Sequence, residues 1–263
     1  MINIVVCMKV IIDPETPLSI FKIDKENRRA FPPSGTPPVM SPFDENALEA
    51  ALRIKDSNEC KITILSMGKK LPKAVLQKSL ATGADDVIVL EDPEFDNLDP
   101  FTSAHILANA IQKIENFDLI FTGRQAADWD AGIVWAGISD LLDIPAVTIA
   151  QRTVIQNNKL VVERCTSEGI EVIETDMPAL VAFSNEAGEL RNTSLKALMN
   201  IKKKEFIKWT SEDVIFTKAD FMNPFDLFEP EFNEADCFYV GGEDDVEKGR
   251  MLAIKLMNEV KTL

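Results

Sequence analysis

The sequence is short of histidine, of clustered cysteine and of basic charge, and each shortage removes a class of function. His105 is the only histidine, which excludes a Ser-His-Asp relay and a multi-histidine metal centre. It falls within a helical pattern and reads as an ordinary surface or core residue. The four cysteines, Cys7, Cys60, Cys165 and Cys237, stand far apart. They form no Cys-x-x-Cys pair, zinc ribbon or iron–sulfur pattern, so no metal site is expected. They read as reduced thiols of a cytoplasmic protein. Only 28 basic side chains face 43 acidic ones, for a net charge of −15, which argues against a nucleic-acid partner gripped through its phosphates. No apolar run approaches the roughly 18–20 residues of a membrane span. Met1 to Val10 carries neither a basic leader nor a small-residue cleavage site, so secretion is not expected. What remains is a chain of 263 residues, 46% apolar, enough to bury the core of one large domain or two small ones.

Strand and helix patterns alternate through the first half. Ile2–Met8 is a continuous apolar run of strand length, and Ile62–Leu65, Val87–Leu90 and Leu119–Phe121 repeat it. Between them, Asn46–Lys55, Lys73–Ala81 and Ser103–Ile114 carry apolar residues at helical spacing. The first helix has a clear start, with Ser41 as N-cap, Pro42 at the first position and Asp44 three residues after the cap. Gly83 is the stop of the second. The alternation predicts an open α/β sheet, mainly parallel, built from right-handed crossovers, with its ligand at the carboxyl ends of the strands. From about residue 151 the pattern turns antiparallel: Val154–Gln156 and Leu160–Glu163 flank the turn pair Asn157-Asn158, with Glu171–Thr175 and Ala179–Phe183 as further strands.

Residues 205–263 differ in composition. They hold 14 acidic against 6 basic side chains and 9 of the 19 aromatics, among them Phe221, Phe225, Phe228 and Phe232. The shift marks a boundary near 205. Pro224 and Pro230 interrupt any long helix there, so the aromatics need another surface to cover them. Lys208 to Tyr239 is expected to wrap as an arm, closed by an amphipathic helix over Asp244–Val260.

The stretch from Gly123 to Gly132 follows a strand and precedes the apolar helical run Ile133–Leu142. A strand, a loop with glycines and a helix N-terminus can hold an anion on exposed backbone N–H groups. The loop lacks the Walker lysine and the Gly-x-Gly-x-x-Gly pattern. Alone it is better read as an ordinary polar loop.

Several blocks together resemble the β subunit of electron-transfer flavoproteins. They are Val6-Cys7-Met8-Lys9-Val10 with Asp13, Ser41-Pro42-Phe43-Asp44, Ser66-Met67-Gly68, Ala81-Thr82-Gly83-Ala84-Asp85, Gly123-Arg124-Gln125-Ala126 with Asp128, Asp176-Met177-Pro178-Ala179 and Ser194-Leu195-Lys196-Ala197. Their order and spacing run from residue 2 to about 208. The chain departs from the family where the loop usually continues Asp-x-Asp-Thr-x-Gln-Val-Gly-Pro. Here it reads Asp128-Trp129-Asp130-Ala131-Gly132-Ile133-Val134-Trp135-Ala136, so the threonine hydroxyl and glutamine amide are gone while the backbone donors stay.

The resemblance implies a Rossmann-like, adenine-nucleotide-binding α/β core over 1–205, with a recognition loop at about 186–204 and an arm over 206–263 packing on an α subunit. It implies FAD in the β site and NAD(H) as substrate, with AMP as the alternative occupant, and chemistry carried by the flavin in place of a catalytic side chain. Lining residues would be Cys7, Lys9, Ser41, Asp44 and Met67 and the stretch from Gly123 to Val134, above all Gly123, Arg124, Gln125, Ala126, Asp128, Asp130, Ala131, Gly132, Ile133 and Val134. Arg124 would tune the flavin by its charge, unless it is merely a surface ion pair. Leu195, with Lys196 and Met199, would dock a flavin-dependent dehydrogenase of acyl-CoA or lactate type. Arg191, Lys196, Lys202, Lys203, Lys204 and Lys208 form a basic island against Glu205, and its lysines would surround Leu195 as a polar rim. Electron bifurcation toward a low-potential acceptor such as ferredoxin is the implied activity; the alternatives are a simple non-bifurcating electron carrier holding structural AMP and a non-redox nucleotide-binding module.

Overall fold

The computed structural model describes residues 1–26, 28–201, 204–219, 221, 226–228 and 237–259. The chain divides into two compact units, Met1–Leu227 and Phe228–Leu263.

In the first unit, β1 (Ile2–Cys7) leads through two small ribbons, β2 (Val10–Ile12) with β5 (Pro38–Met40) and β3 (Lys22–Asp24) with β4 (Arg29–Phe31), into α1 (Pro42–Lys55). Then come β6 (Cys60–Gly68), α2 (Lys73–Thr82), β7 (Asp86–Glu91), α3 (Pro100–Ile114), β8 (Leu119–Gly123) and α4 (Val134–Leu142). The antiparallel part is β9 (Ala146–Gln156), β10 (Lys159–Thr166) and β11 (Gly169–Thr175). It is followed by β12 (Ala179–Phe183), α5 (Leu195–Ile201) and β13 (Ile207–Trp209).

One nine-stranded sheet runs β11-β10-β9-β12-β8-β1-β6-β7-β13. From β9 to β13 all neighbours are parallel, with Val6 opposite Ile64 on one side and Phe121 on the other. Its centre is buried on both faces, which explains the unbroken apolar runs. Ile4 and Val6 of β1, and Met8 just after it, face a core shared with Leu48 and Leu52 of α1 and Leu76 and Leu80 of α2. Val5 and Cys7 face the opposite core with Ile106 and Ile111 of α3 and Ile138 of α4. Connections leave β1 toward β6 on one side, while β8 lies on the other. The strand order therefore reverses at β1/β8, where a crevice opens.

Three expectations change. Ala179–Phe183 does not extend the antiparallel part but lies parallel between β9 and β8, fully buried. Five consecutive apolar residues have no solvent face to offer, and only a central strand accommodates them. The Ser41 hydroxyl does not cap α1, and Asp44 does not close a capping box; both side chains reach neighbouring loops. Finally, residues just past 205 join the core. β13 pairs with β7, Val214 is buried, and the Phe216 ring lies 5.8 Å from that of Phe95. Trp209, Val214 and Phe216 thus find their cover on this unit's own sheet and α3. Phe221 meets Phe101 at 5.5 Å, and Phe225 and Phe232 lie outside the described residues. In the second unit, α6 (Asp245–Glu259) forms as expected to within a residue at its start, and Val260 is outside the described residues. Val246, Leu252, Leu256 and Met257 are exposed along it.

Candidate functional site

The crevice at the β1/β8 switch is built from α1 outward. Asp44 sits in the first turn of α1, buried, and its carboxylate bridges two strand exits. Oδ2 accepts the Lys9 N–H at 2.8 Å and Oδ1 the Gly123 N–H at 2.9 Å. Gly123 is required here, because a Cβ would stand 2.6 Å from Phe43 Cβ and 2.7 Å from Asp44 Oδ1. Burial pushes the Asp44 carboxyl up to about 7, against the two backbone donors and Lys9, which favour its charged form. Burial, and then the Asp44 charge, push the Cys7 thiol up to about 12. Cys7 is therefore a thiol lining residue and no nucleophile.

The loop between β8 and α4 is held by its own polar residues. Lys9 Nζ pairs with Asp128 at 2.7 Å, Gln125 Nε2 donates to Asp130 at 2.7 Å, and the Ala127 N–H donates to the Ser41 hydroxyl at 3.4 Å. Gly132, at φ +64°, turns the chain into α4; a Cβ there would have ordinary space, so the demand is on the backbone angle alone.

These elements enclose a cleft of about 200 Å³. Of the expected residues, Cys7, Lys9, Asp44 and Met67 line it, as do Gly123, Arg124, Gln125 and Ala126, and Ala131, Gly132, Ile133 and Val134. Ser41, Asp128 and Asp130 do not line it; they brace the loop that does. Trp129, inside the expected stretch, lines it too, whereas sequence reasoning missed Trp135, Thr122 and the turn that brings Asn97, Leu98, Asp99, Pro100 and Ser103 to the cleft. The last carried a signal. Asp99 before Pro100 marks a helix start at the end of a third strand, and its carboxylate accepts the Thr102 N–H at 2.7 Å.

Two helix starts therefore face the cleft in different states. That of α3 is filled by Asp99, whereas α4 begins at Ile133 with no side-chain cap, leaving its first N–H groups for a ligand. Thr122 Oγ1 and Arg124 Nε are buried without a hydrogen-bond partner among the described residues. A nucleotide's ring, sugar or phosphate acceptors would satisfy both, and an empty apolar pocket would not. Arg124 makes no ion pair within 4 Å among the described residues; its guanidinium lies 4.8 Å from the centre of the Phe43 ring. Lys9 is paired with Asp128 and the Asp99 carboxyl also lines the cleft, so the cleft is not strongly cationic.

Residues 33–214 match the electron transfer flavoprotein domain. The chain belongs to that family. It is 37% identical over 210 residues to the electron transfer flavoprotein subunit beta of Megasphaera elsdenii, covering 77% of this chain and 76% of that one. It is 34% identical to subunit CarD of the caffeyl-CoA reductase–Etf complex of Acetobacterium woodii, covering 81% and 79%. With the acryloyl-CoA reductase electron transfer subunit gamma of Anaerotignum propionicum it shares 29% identity over 98% of both chains.

Away from the cleft, α5 presents Leu195 and Met199 to solvent, 80% and 70% exposed. Lys196 beside them is exposed and has no ion pair within 4 Å among the described residues. The other cations are committed elsewhere: Arg191 to Glu49 and Asp56, Lys204 to Asp86 and the Asp85 carbonyl, Lys208 to Glu91 at 3.8 Å. Lys202 and Lys203 lie outside the described residues. His105 is exposed on α3. No helix of the described residues is long and apolar enough to cross a membrane.

Proposed function

We propose that this chain is the β subunit of a cytoplasmic electron-transfer flavoprotein. It would hold FAD in the switch-point cleft, pair with an α subunit, and serve NADH-dependent bifurcation between a flavin-dependent dehydrogenase and a low-potential acceptor such as ferredoxin. The observation that carries the reading is the cleft itself, with unpartnered donors on Thr122 and Arg124 beside the uncapped start of α4. Relatives named for caffeyl-CoA and acryloyl-CoA reductase complexes support an acyl-CoA-type dehydrogenase ahead of a lactate-type one.

When bound, FAD supplies the electron chemistry, and the protein supplies position and charge. The Thr122 hydroxyl and Arg124 Nε would donate to the cofactor's acceptors, and the first N–H groups of α4 would be free for a phosphate. Trp129, Trp135 and Ile133 would keep water from the bound group, and Arg124 would favour negative charge on it. Leu195 and Met199 form a small apolar anchor for the dehydrogenase, with Lys196 at its rim, a design for fast and reversible association.

A second reading is that AMP alone occupies the site. The size of the cleft favours it, because about 200 Å³ is less than the roughly 300–1,000 Å³ typical of sites that enclose larger ligands. The missing threonine and glutamine side chains favour it too. Cofactor analysis of the purified heterodimer tests both. Two flavins per αβ pair support FAD in this chain, and one flavin with one AMP supports the second reading. No nucleotide in the β chain would leave neither.

A further inference from the structure

We propose that Arg191 is a positioning residue for dehydrogenase docking: it fastens the base of the α5 segment to α1, the helix that also organises the cofactor cleft. The inference rests on the docking role of Leu195 proposed above.

Arg191 lies four residues before Leu195, in the stretch linking the sheet to α5. Its guanidinium forks between two carboxylates on one face of α1. Nε donates to Glu49 at 3.0 Å, Nη2 to Glu49 at 3.0 Å and Asp56 at 2.8 Å, and Nη1 to Asp56 at 3.1 Å. Its backbone N–H also donates to Glu49 at 3.0 Å, so main chain and side chain are fixed to the same acceptor. Two more residues of that face hold the preceding backbone: Asn46 Nδ2 donates to the Gly188 carbonyl at 2.6 Å and Arg53 Nη1 to that of Ala187 at 2.7 Å. Asn46, Glu49, Arg53 and Asp56 recur at three- and four-residue spacing, which makes one polar stripe on the helix. Glu49 is nearly buried, and its charge is made tolerable by two paired cations, Arg191 and, at 3.3 Å, Arg53.

The opposite end of α1 carries Asp44, bonded to the Lys9 and Gly123 N–H groups at the cleft. A single 14-residue helix therefore touches the loop after β8 with its first turn and the stretch leading into α5, residues 187–191, with its outer stripe. A helix is stiff along its axis, so the chain entering α5 is held at a fixed place relative to the cleft. That geometry serves a transfer whose rate depends on how the two proteins sit. Arg191 is suited to the task as lysine is not, because a planar fork can bridge two carboxylates at once while a point charge serves one.

The test uses the full αβ heterodimer with Arg191→Lys, which keeps a charge beside Glu49 and gives up the bridge, and Asp56→Asn, which opens the exposed half of the fork. Hydrogen exchange at the amides of residues 195–201 is expected to quicken about tenfold in both variants, with α1 unchanged. With an acyl-CoA dehydrogenase as acceptor, the KM for that partner should rise about fivefold while kcat and cofactor content hold. In a Leu195→Ala background, where no anchor remains to be positioned, Arg191→Lys should add nothing. Unchanged exchange at 195–201 overturns the proposal. So does a joint fall in kcat, cofactor content and melting temperature, or a full effect on top of Leu195→Ala, since each marks a merely structural role. A Leu195→Ala variant that docks normally, with exchange nonetheless quickened, refutes the docking reading and leaves Arg191 a loop tether only.

Discussion

The switch-point cleft and the segment leading into α5, proposed above as the cofactor and docking sites, both lean on α1, yet they are tied to it by opposite chemistry. At the cleft the tie is a buried carboxylate, Asp44, accepting two backbone N–H groups where Gly123 lets the strand approach within contact of Phe43. At the docking segment it is a half-exposed guanidinium on Glu49 and Asp56. The first depends on volume and burial and feels little salt. The second depends on charge, and exposed charges are screened over about 8 Å at physiological ionic strength. Perturbations of size should therefore strike the cleft, and perturbations of ionic strength the docking segment.

The largest effect is expected from size. In Gly123→Ala the new methyl collides with the first turn of α1, which must move away from the strand. A loss of about 3 kcal/mol in urea unfolding is expected, together with loss of bound cofactor. A variant of normal stability that keeps its cofactor would show that the close approach is not what sets the cleft.

Acidity separates the two ties by sign. Burial raises Asp44 to about 7 from an ordinary value of 3.8, so the stability linked to its neutral form is complete below about pH 4 and is lost as pH rises through 7. Relative to Asp44→Asn, the wild type should lose on the order of 3 kcal/mol between pH 4 and 8. At the docking segment, burial pushes Glu49 up, but Arg191 and Arg53 outweigh it and hold the carboxyl below its ordinary range; Arg191 does the same for Asp56. Those contributions are present at neutral pH and fail as pH falls through the lowered values. Urea midpoints across pH 3–9 should therefore show losses at opposite ends for Asp44→Asn and Glu49→Gln controls. Two profiles of the same sign would break the distinction.

Much of the fold was legible because burial on two faces leaves unbroken apolar runs, as in Ile2–Met8 and Leu119–Phe121. The switch-point cleft followed from the alternation of strand and helix, and most of its lining from the loop after Leu119. Three features were hidden for physical reasons. Ser41 and Asp44 carry a helix-start pattern, but local pattern says nothing of a β8 exit that passes within hydrogen-bond reach. Ala179–Phe183 follows antiparallel strands in sequence and pairs with β8 from far earlier, a non-local choice. The composition break at 205 is real in charge, yet Trp209, Val214 and Phe216 pack on the sheet and α3 before it takes effect. Arg191 looked like one more cation of a basic island; only the fold brings Glu49 and Asp56, some 140 residues earlier, beneath it.

A gentler probe of the cleft is Trp129→Ala. Trp129 lines the cleft and is 59% exposed at its edge, so its loss should leave stability within about 0.5 kcal/mol of wild type. If it covers a cofactor ring, stacking of about 1–3 kcal/mol is removed and AMP or FAD binding weakens roughly tenfold or more. Fluorescence titration suits this chain, since only Trp129 and Trp135 line the cleft and Trp209 sits on β13 beside Lys113. Equal affinity in the variant would place the ring elsewhere.

The smallest effect is expected at Lys196. It stands next to Leu195, exposed, and has no ion pair within 4 Å among the described residues. Its removal therefore breaks nothing in the folded chain, and the melting temperature should not move. Its charge can act only during approach of a partner, where a rim cation steers encounter more than it holds the complex. Lys196→Ala should slow association with an acyl-CoA dehydrogenase about twofold at low salt and leave dissociation unchanged. At 1 M salt, where screening acts within about 3 Å, the two proteins should associate at the same rate. Arg191→Lys should behave differently, because its charge positions the anchor within the subunit and its effect belongs to KM and to exchange at α5. A difference that persists at high salt for Lys196→Ala would mean that this lysine makes a bond in the complex, and the rim would then have to be counted as part of the anchor.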